Sequence, residues 1–115
     1  MMHEKYILHG TEPVLCDDLL TWARWLETAE RQVARTEVAE GVTVSTIFIG
    51  LNRALDDREA PALFETMVFW PNSNLDLKME RYHTWAEAEQ GHAGMVARVQ
   101  AAIDEARATT RNATT

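Results

Sequence analysis

Two apolar runs, 42–51 (VTVSTIFIGL) and 62–70 (ALFETMVFW), decide the fold, because no other part of the chain is as rich in β-branched and aromatic residues. They read as neighbouring strands. Successive strand side chains point to opposite faces. Val42, Val44, Thr46 and Phe48 therefore share one side of the first run, and Thr43, Ser45, Ile47 and Ile49 the other. Both sides are apolar or hydroxylic, which places this strand inside a sheet with at least one face covered. In the second run, Phe64, Thr66, Val68 and Trp70 lie opposite Leu63, Glu65, Met67 and Phe69. The charged connection 52–61 (NRALDDREAP) is long enough for antiparallel pairing, and Pro61 fixes the entry to the second strand. In that pairing Glu65 shares a face with Ser45 and Ile47, provided no bulge intervenes. Glu65 is the most informative single residue, since a carboxylate within such a strand needs water or a partner.

Toward the N-terminus, 34–38 leads through Ala39-Glu40-Gly41 into the first run, which predicts a tight hairpin at Glu40-Gly41. Before it, Asp17 and Asp18 suit the start of a helix over 18–32. Leu19, Trp22, Leu26, Ala29 and Val33 recur at spacings of three and four and form its apolar stripe, which Trp22 and Trp25 broaden. The two tryptophans read as core and core margin. At the start of the chain, Tyr6, Ile7, Leu8 and then Val14, Leu15 flank a turn-prone 9–13 (HGTEP), predicting a short hairpin with Pro13 at its edge.

On the other side of the two runs, Pro71-Asn72-Ser73-Asn74 is a loop by composition, and 75–82 predicts a short edge strand. Thr84-Trp85-Ala86-Glu87 fits a capping box, in which hydroxyl and carboxylate each satisfy a free amide at a helix start. The helix is expected over 85–108, roughly 36 Å at about 1.5 Å per residue. Its apolar line is Trp85, Ala88, His92, Met95, Val99, Ile103 and Ala106. Gly91 and Gly94 interrupt it at about 1 kcal/mol each relative to Ala, which calls for a close backbone approach or a break. The last stretch, 109–115 (TTRNATT), reads as a flexible tail after a single domain over 1–108. The expected class is α+β: a mainly antiparallel sheet of four to six strands, an ordinary sheet size. Two single-striped helices pack on one face. The other face is left for a partner, a second subunit or a pocket rim.

A chain of 115 residues suits one domain with one core. Eighteen acidic against eleven basic residues give a formal charge of −7, which disfavours nonspecific duplex binding. It suits a soluble protein or one that meets a basic partner. No apolar run reaches membrane-spanning length, so no membrane partner is expected. The N-terminal MMHEKYILHG lacks an extended h-region, and the single Cys16 cannot form an internal disulfide. A reducing cytoplasm is the expected location, where the Asn112-Ala113-Thr114 glycosylation pattern has no meaning.

The chain carries no P-loop, dinucleotide-binding glycine pattern, nucleophile elbow or Cys/His zinc spacing, and no cofactor or metal is expected. The candidate cluster is Glu65 with Arg81 and His83, joined by Ser45, Asn52 and Arg53. A two-pronged Arg81–Glu65 pair is one reading, a structural ion pair holding helix to sheet. The sharper reading is a polar pocket for a small anionic or nucleotide ligand, with Arg81 and His83 as donors. His92, on an apolar helix face, reads as a buried, neutral, hydrogen-bonded core residue. Cys16 reads as inert packing, having no base beside it in sequence. The long helix and its glycines also make a homodimer plausible.

At VSTIFIGLN, LFETMVF and ERYHTWAEAEQGH, the chain resembles a family of small uncharacterised proteins of tailed bacteriophages, with LLTWARWLETAERQVART resembling the preceding segment. The resemblance covers roughly residues 18–97. One departure is Asn52-Arg53, where the family has a DH pair. It implies a phage protein acting in a bacterial host. The expected function is accessory protein binding against a host defence factor. Alternatives are a ligand sponge, a housekeeping replication or assembly protein, or a small enzyme with Glu65 and His83 as acid and base.

Overall fold

A computed structural model of the chain describes residues 4–56, 58–71 and 79–114. The elements in order are β1 (Tyr6–His9), β2 (Glu12–Leu15), α1 (Leu19–Thr28), β3 (Gln32–Ala39), β4 (Val42–Phe48), β5 (Phe64–Phe69), β6 (Met79–Tyr82) and α2 (Trp85–Thr114). Four strands form an antiparallel sheet in the order β3-β4-β5-β6, and β1 with β2 makes a separate two-stranded hairpin. The class is α+β with a mainly antiparallel sheet, as the two central runs imply.

The β4–β5 register sets Ile47 opposite Glu65, Ser45 opposite Met67 and Phe48 opposite Phe64, without a shift. Parity therefore carries across the two runs. Val42, Val44, Thr46 and Phe48 are buried, and the residues between them are half-buried. The covered face holds two contiguous clusters. Val42, Val44 and Val68 pack with Met95 and Val99 of α2. Phe48 and Phe64 pack with Ala88, and Leu63, which precedes β5 and was expected on the opposite side from Phe64, is buried in the same cluster. A chain of edge-to-face rings links both helices to this face: Trp25 to Phe48 at 5.7 Å, Phe48 to Phe64 at 5.2 Å, and Phe64 to Trp85 at 6.1 Å. Such pairs add about 0.5–1.5 kcal/mol each beyond burial.

The hairpin is tied to the end of β4. Tyr6 N–H donates to the Gly50 carbonyl at 2.8 Å, and Lys5 bridges to Leu51. Trp22 Nε1 donates to the same carbonyl at 3.1 Å. Gly50 has φ +84°, and a Cβ there would come within 3.3 Å of Leu26, Trp22 and the Tyr6 carbonyl. Both the conformation and the space favour glycine.

Three sequence expectations change. First, α1 begins on Asp18, which accepts the Thr21 amide, but it ends at Thr28 and not at Gln32. Gln32 and Val33 belong to β3, because the Arg31 carbonyl accepts the Phe48 amide at 2.8 Å and draws the chain into the sheet. Sheet pairing overrides the helical spacing there. Leu19, expected on the stripe, is 59% exposed, and the helix packs through Trp22, Trp25 and Leu26.

Second, α2 runs through Thr114, where an end near Ala108 and a tail over 109–115 were expected. No Gly or Pro follows Gly94 to stop it, and the Thr110 hydroxyl folds back onto the Ala106 carbonyl at 3.0 Å. Thirty residues make about 45 Å of helix. The molecule is accordingly elongated, 62 × 31 × 25 Å.

Third, only one of the two helix glycines meets a neighbour. A Cβ at Gly91 would fall 2.2 Å from the Tyr82 ring, whereas nothing lies within 4 Å of one at Gly94. The capping box is present in a shifted form. Thr84 accepts the Glu87 amide at 3.1 Å, and the Glu87 carboxylate reaches back to the His83 amide at 3.0 Å. Of the strand expected over 75–82, Met79–Tyr82 is β6, and 75–78 lie outside the described residues, as does 72–74 of the expected loop.

Candidate functional site

Glu65 and Arg81 stand directly opposite each other on β5 and β6. Arg81 Nε donates to Glu65 Oε2 at 3.1 Å. This is a single contact in place of the two-pronged pair, since the Arg81 Nη2 atom turns toward Met79 Sδ at 4.0 Å. The pair joins two strands rather than helix to sheet. Cross-strand pairs of this kind contribute roughly 0.2–1 kcal/mol.

Around it lies the sheet face that the helices leave open. Ser45 is diagonal to Glu65 and half-buried; Ile47 is opposite. Met67 on β5 faces Met79 on β6, and Phe69 lies two residues along on the same side. Phe69 and Met79 are each 48% exposed. An apolar patch thus sits beside a polar pair on the face turned away from α1 and α2. The alternation of ETMVF contains this patch, but it takes the β6 register to bring Met79 into it.

The other three predicted residues fall at the far end of the sheet. Asn52 is a clamp: its Oδ1 accepts the amides of Ala54 at 2.9 Å and Ala62 at 3.1 Å, and its Nδ2 donates to Glu4 at 3.2 Å. Arg53 has its amide on the Ala62 carbonyl at 2.9 Å and an exposed side chain. His83 Nδ1 donates to the Pro61 carbonyl at 3.0 Å. His83 also lines a cleft of about 650 Å³ walled by Tyr6, Pro13, Pro61 and Trp85, with Glu12 and Glu89 among its lining residues. The six residues therefore divide into two groups, Ser45, Glu65 and Arg81 on the open face, and Asn52, Arg53 and His83 around the Pro61-Ala62 backbone. Glu65 and His83 have different partners.

His92 is the buried, hydrogen-bonded core residue expected from its place on the apolar stripe of α2, and its partners, which the sequence did not name, are threonines of the sheet. His92 is 6% exposed, with Nδ1 2.8 Å from the Thr46 hydroxyl and Nε2 2.9 Å from that of Thr36. Thr46 and Thr66 hydroxyls are 2.5 Å apart. Burial lowers the His92 pKa and favours the neutral ring, whose one donor and one acceptor both find partners. The network ties α2 to β3, β4 and β5. The signal was the threonine at the inward position of each central run, Thr46 and Thr66, facing a histidine on an apolar helix stripe. Cys16 is a half-buried free thiol whose Sγ lies 3.7 Å from the Asp18 carbonyl.

Among the described residues no three His, Cys, Asp or Glu side chains gather as metal ligands, and no helix is long and apolar enough to cross a membrane. Compared with protein-family models, curated proteins and solved structures, the chain matches none.

Proposed function

We propose that this chain is a small accessory protein of the tailed-phage type that works by binding a protein partner through its open sheet face. The observation that carries this reading is the pairing of Met67, Phe69 and Met79 with the Glu65–Arg81 contact on the sheet face that neither α1 nor α2 covers. An apolar centre beside satisfied polar groups is the anatomy of a protein-binding patch. The net charge of −7 favours a partner that presents basic groups around its contact surface. The resemblance to phage proteins supplies the setting, a bacterial host. Antagonism of a host defence factor is the purpose we favour over replication or assembly.

The test is retention of a host protein on the immobilised chain, compared with Phe69→Asp and Met79→Asp variants. A discrete partner held by the parent and released from both variants, with circular dichroism and melting unchanged, supports the reading. Equal retention by both variants overturns it.

A second reading rests on the cleft beside His83, which has the size of a small-ligand site. Its glutamates favour a cationic ligand over the anionic or nucleotide ligand suggested by Arg81 and His83 as a pair. Native mass spectrometry before and after heat denaturation distinguishes a released small molecule from a protein partner. The enzyme reading requires turnover that Glu65→Gln abolishes.

A further inference from the structure

β3 is an edge of the four-stranded sheet, paired with β4 on one side only, and at eight residues it is the longest described strand. Edge strands present unpaired backbone donors and acceptors, a ready template for another strand. Bulges commonly protect such edges. In β3 the register shifts fall between Gln32 and Ala34 and between Glu37 and Ala39, which leaves 34–37 regular.

Within that regular stretch, Arg35 and Glu37 lie on the open face, opposite Ser45 and Thr43 of β4. Both are exposed, and neither joins an ion pair among the described residues. Opposite charges two residues apart on an edge strand are self-complementary. In antiparallel pairing centred on Thr36, Arg35 of one chain faces Glu37 of the second copy, and Glu37 faces its Arg35. Centring on Arg35 or on Glu37 would set like charges against each other, so the pattern selects one register. On the covered face the same register places Thr36 against Thr36 and Ala34 against Val38, all small or β-branched.

We infer that the chain forms a twofold dimer by antiparallel pairing of its β3 edges. The axis runs perpendicular to the sheet at Thr36, so the two sheets continue as one of eight strands. Both α2 helices stay on the covered side, and both open faces lie side by side. Interfaces of this symmetry are isologous, with each contact made twice. Thr36 is held by His92 at 2.9 Å, which fixes the centre of the edge from within the core. The inference stands independently of the protein-binding reading, although a dimer would present that patch twice.

Sedimentation equilibrium from micromolar to millimolar protein tests it, on the parent chain, Arg35→Glu, Glu37→Arg and the double exchange. The parent is expected at twice the 13.1 kDa chain mass. Each single reversal converts two attractive cross-strand pairs into repulsive ones and is expected to raise the dimer Kd by about tenfold or more. The double exchange restores complementarity and should restore the parent Kd. Hydrogen exchange gives a second readout that needs no variant: the amides of 34–37 that point away from β4 gain protection as protein concentration rises. A parent chain that stays monomeric overturns the inference. So does a dimer whose Kd neither single reversal moves, since that dimer is assembled elsewhere. A partner's strand on this edge would instead protect 34–37 only when the partner is added.

Discussion

Alanine placed at Gly91 and, separately, at Gly94 isolates tertiary fit from helix propensity within one turn of α2. In a helix interior alanine is favoured over glycine by about 0.8–1 kcal/mol. At Gly94 nothing lies within 4 Å of the added methyl group, so the whole gain is expected, about 1 kcal/mol and roughly 3–5 °C in Tm for a domain of this size. At Gly91 the added Cβ falls 2.2 Å from Cε1 and Cζ of Tyr82 and 2.3 Å from its hydroxyl oxygen. Carbon contacts settle near 3.5–4 Å, so the ring has to move by more than about 1 Å. Overpacking of this kind costs about 1–3 kcal/mol, enough to cancel the propensity gain and leave a net loss of up to about 2 kcal/mol. The two substitutions should therefore differ by about 1–3 kcal/mol in urea denaturation followed by circular dichroism. Tyr82→Ala removes the obstruction, and in that background Gly91→Ala should stabilise as Gly94→Ala does. If Gly91→Ala stabilises the parent chain as much as Gly94→Ala, the close approach of α2 to β6 does not exist as described.

Three further outcomes follow from the site geometry. Glu65→Gln should lower stability by no more than about 1 kcal/mol, because the Arg81 contact is single and partly solvated; unchanged partner binding would limit Glu65 to that structural role. Burial depresses the folded-state pKa of His92 below its ordinary value of about 6.5. The unfolded chain then binds a proton that the folded chain refuses, so stability is lost as pH falls from about 6.5 toward the folded value. Urea midpoints across that range should fall more steeply for the parent than for His92→Gln. Asn52→Ala strips the amides of Ala54 and Ala62 of their acceptor and should cost about 1–3 kcal/mol, read as a lower Tm.

Strand parity was the most legible feature, because a period of two leaves little freedom once one face is buried. The alternation in VTVSTIF and FETMVF placed every buried residue of β4 and β5 on the correct side. Helix ends were less legible. The stripe through Leu19 to Val33 has helical spacing, but whether Gln32 and Val33 continue a helix or enter a sheet depends on the Phe48 amide, which lies sixteen positions away from Gln32. At Ala108 the composition of TTRNATT argued for an end, yet weak propensity without Gly or Pro does not by itself stop a helix.

The candidate site divided because parity and proximity are different kinds of information. Ser45, Glu65 and Arg81 could be assembled from alternation and the antiparallel register alone, and they do share a face. His83 follows Arg81 by two residues and would lie on that face if β6 continued. β6 stops at Tyr82, and the chain then turns to cap α2 through Thr84 and Glu87, with the His83 ring on the Pro61 carbonyl. The same turn that makes the capping box legible thus removes His83 from Glu65. What remains on the open face beside the ion pair is apolar, Met67, Phe69 and Met79, the groups on which the proposed binding surface rests. For this reason substitution of Phe69, rather than of Glu65, is the sharper probe of what the sheet is for.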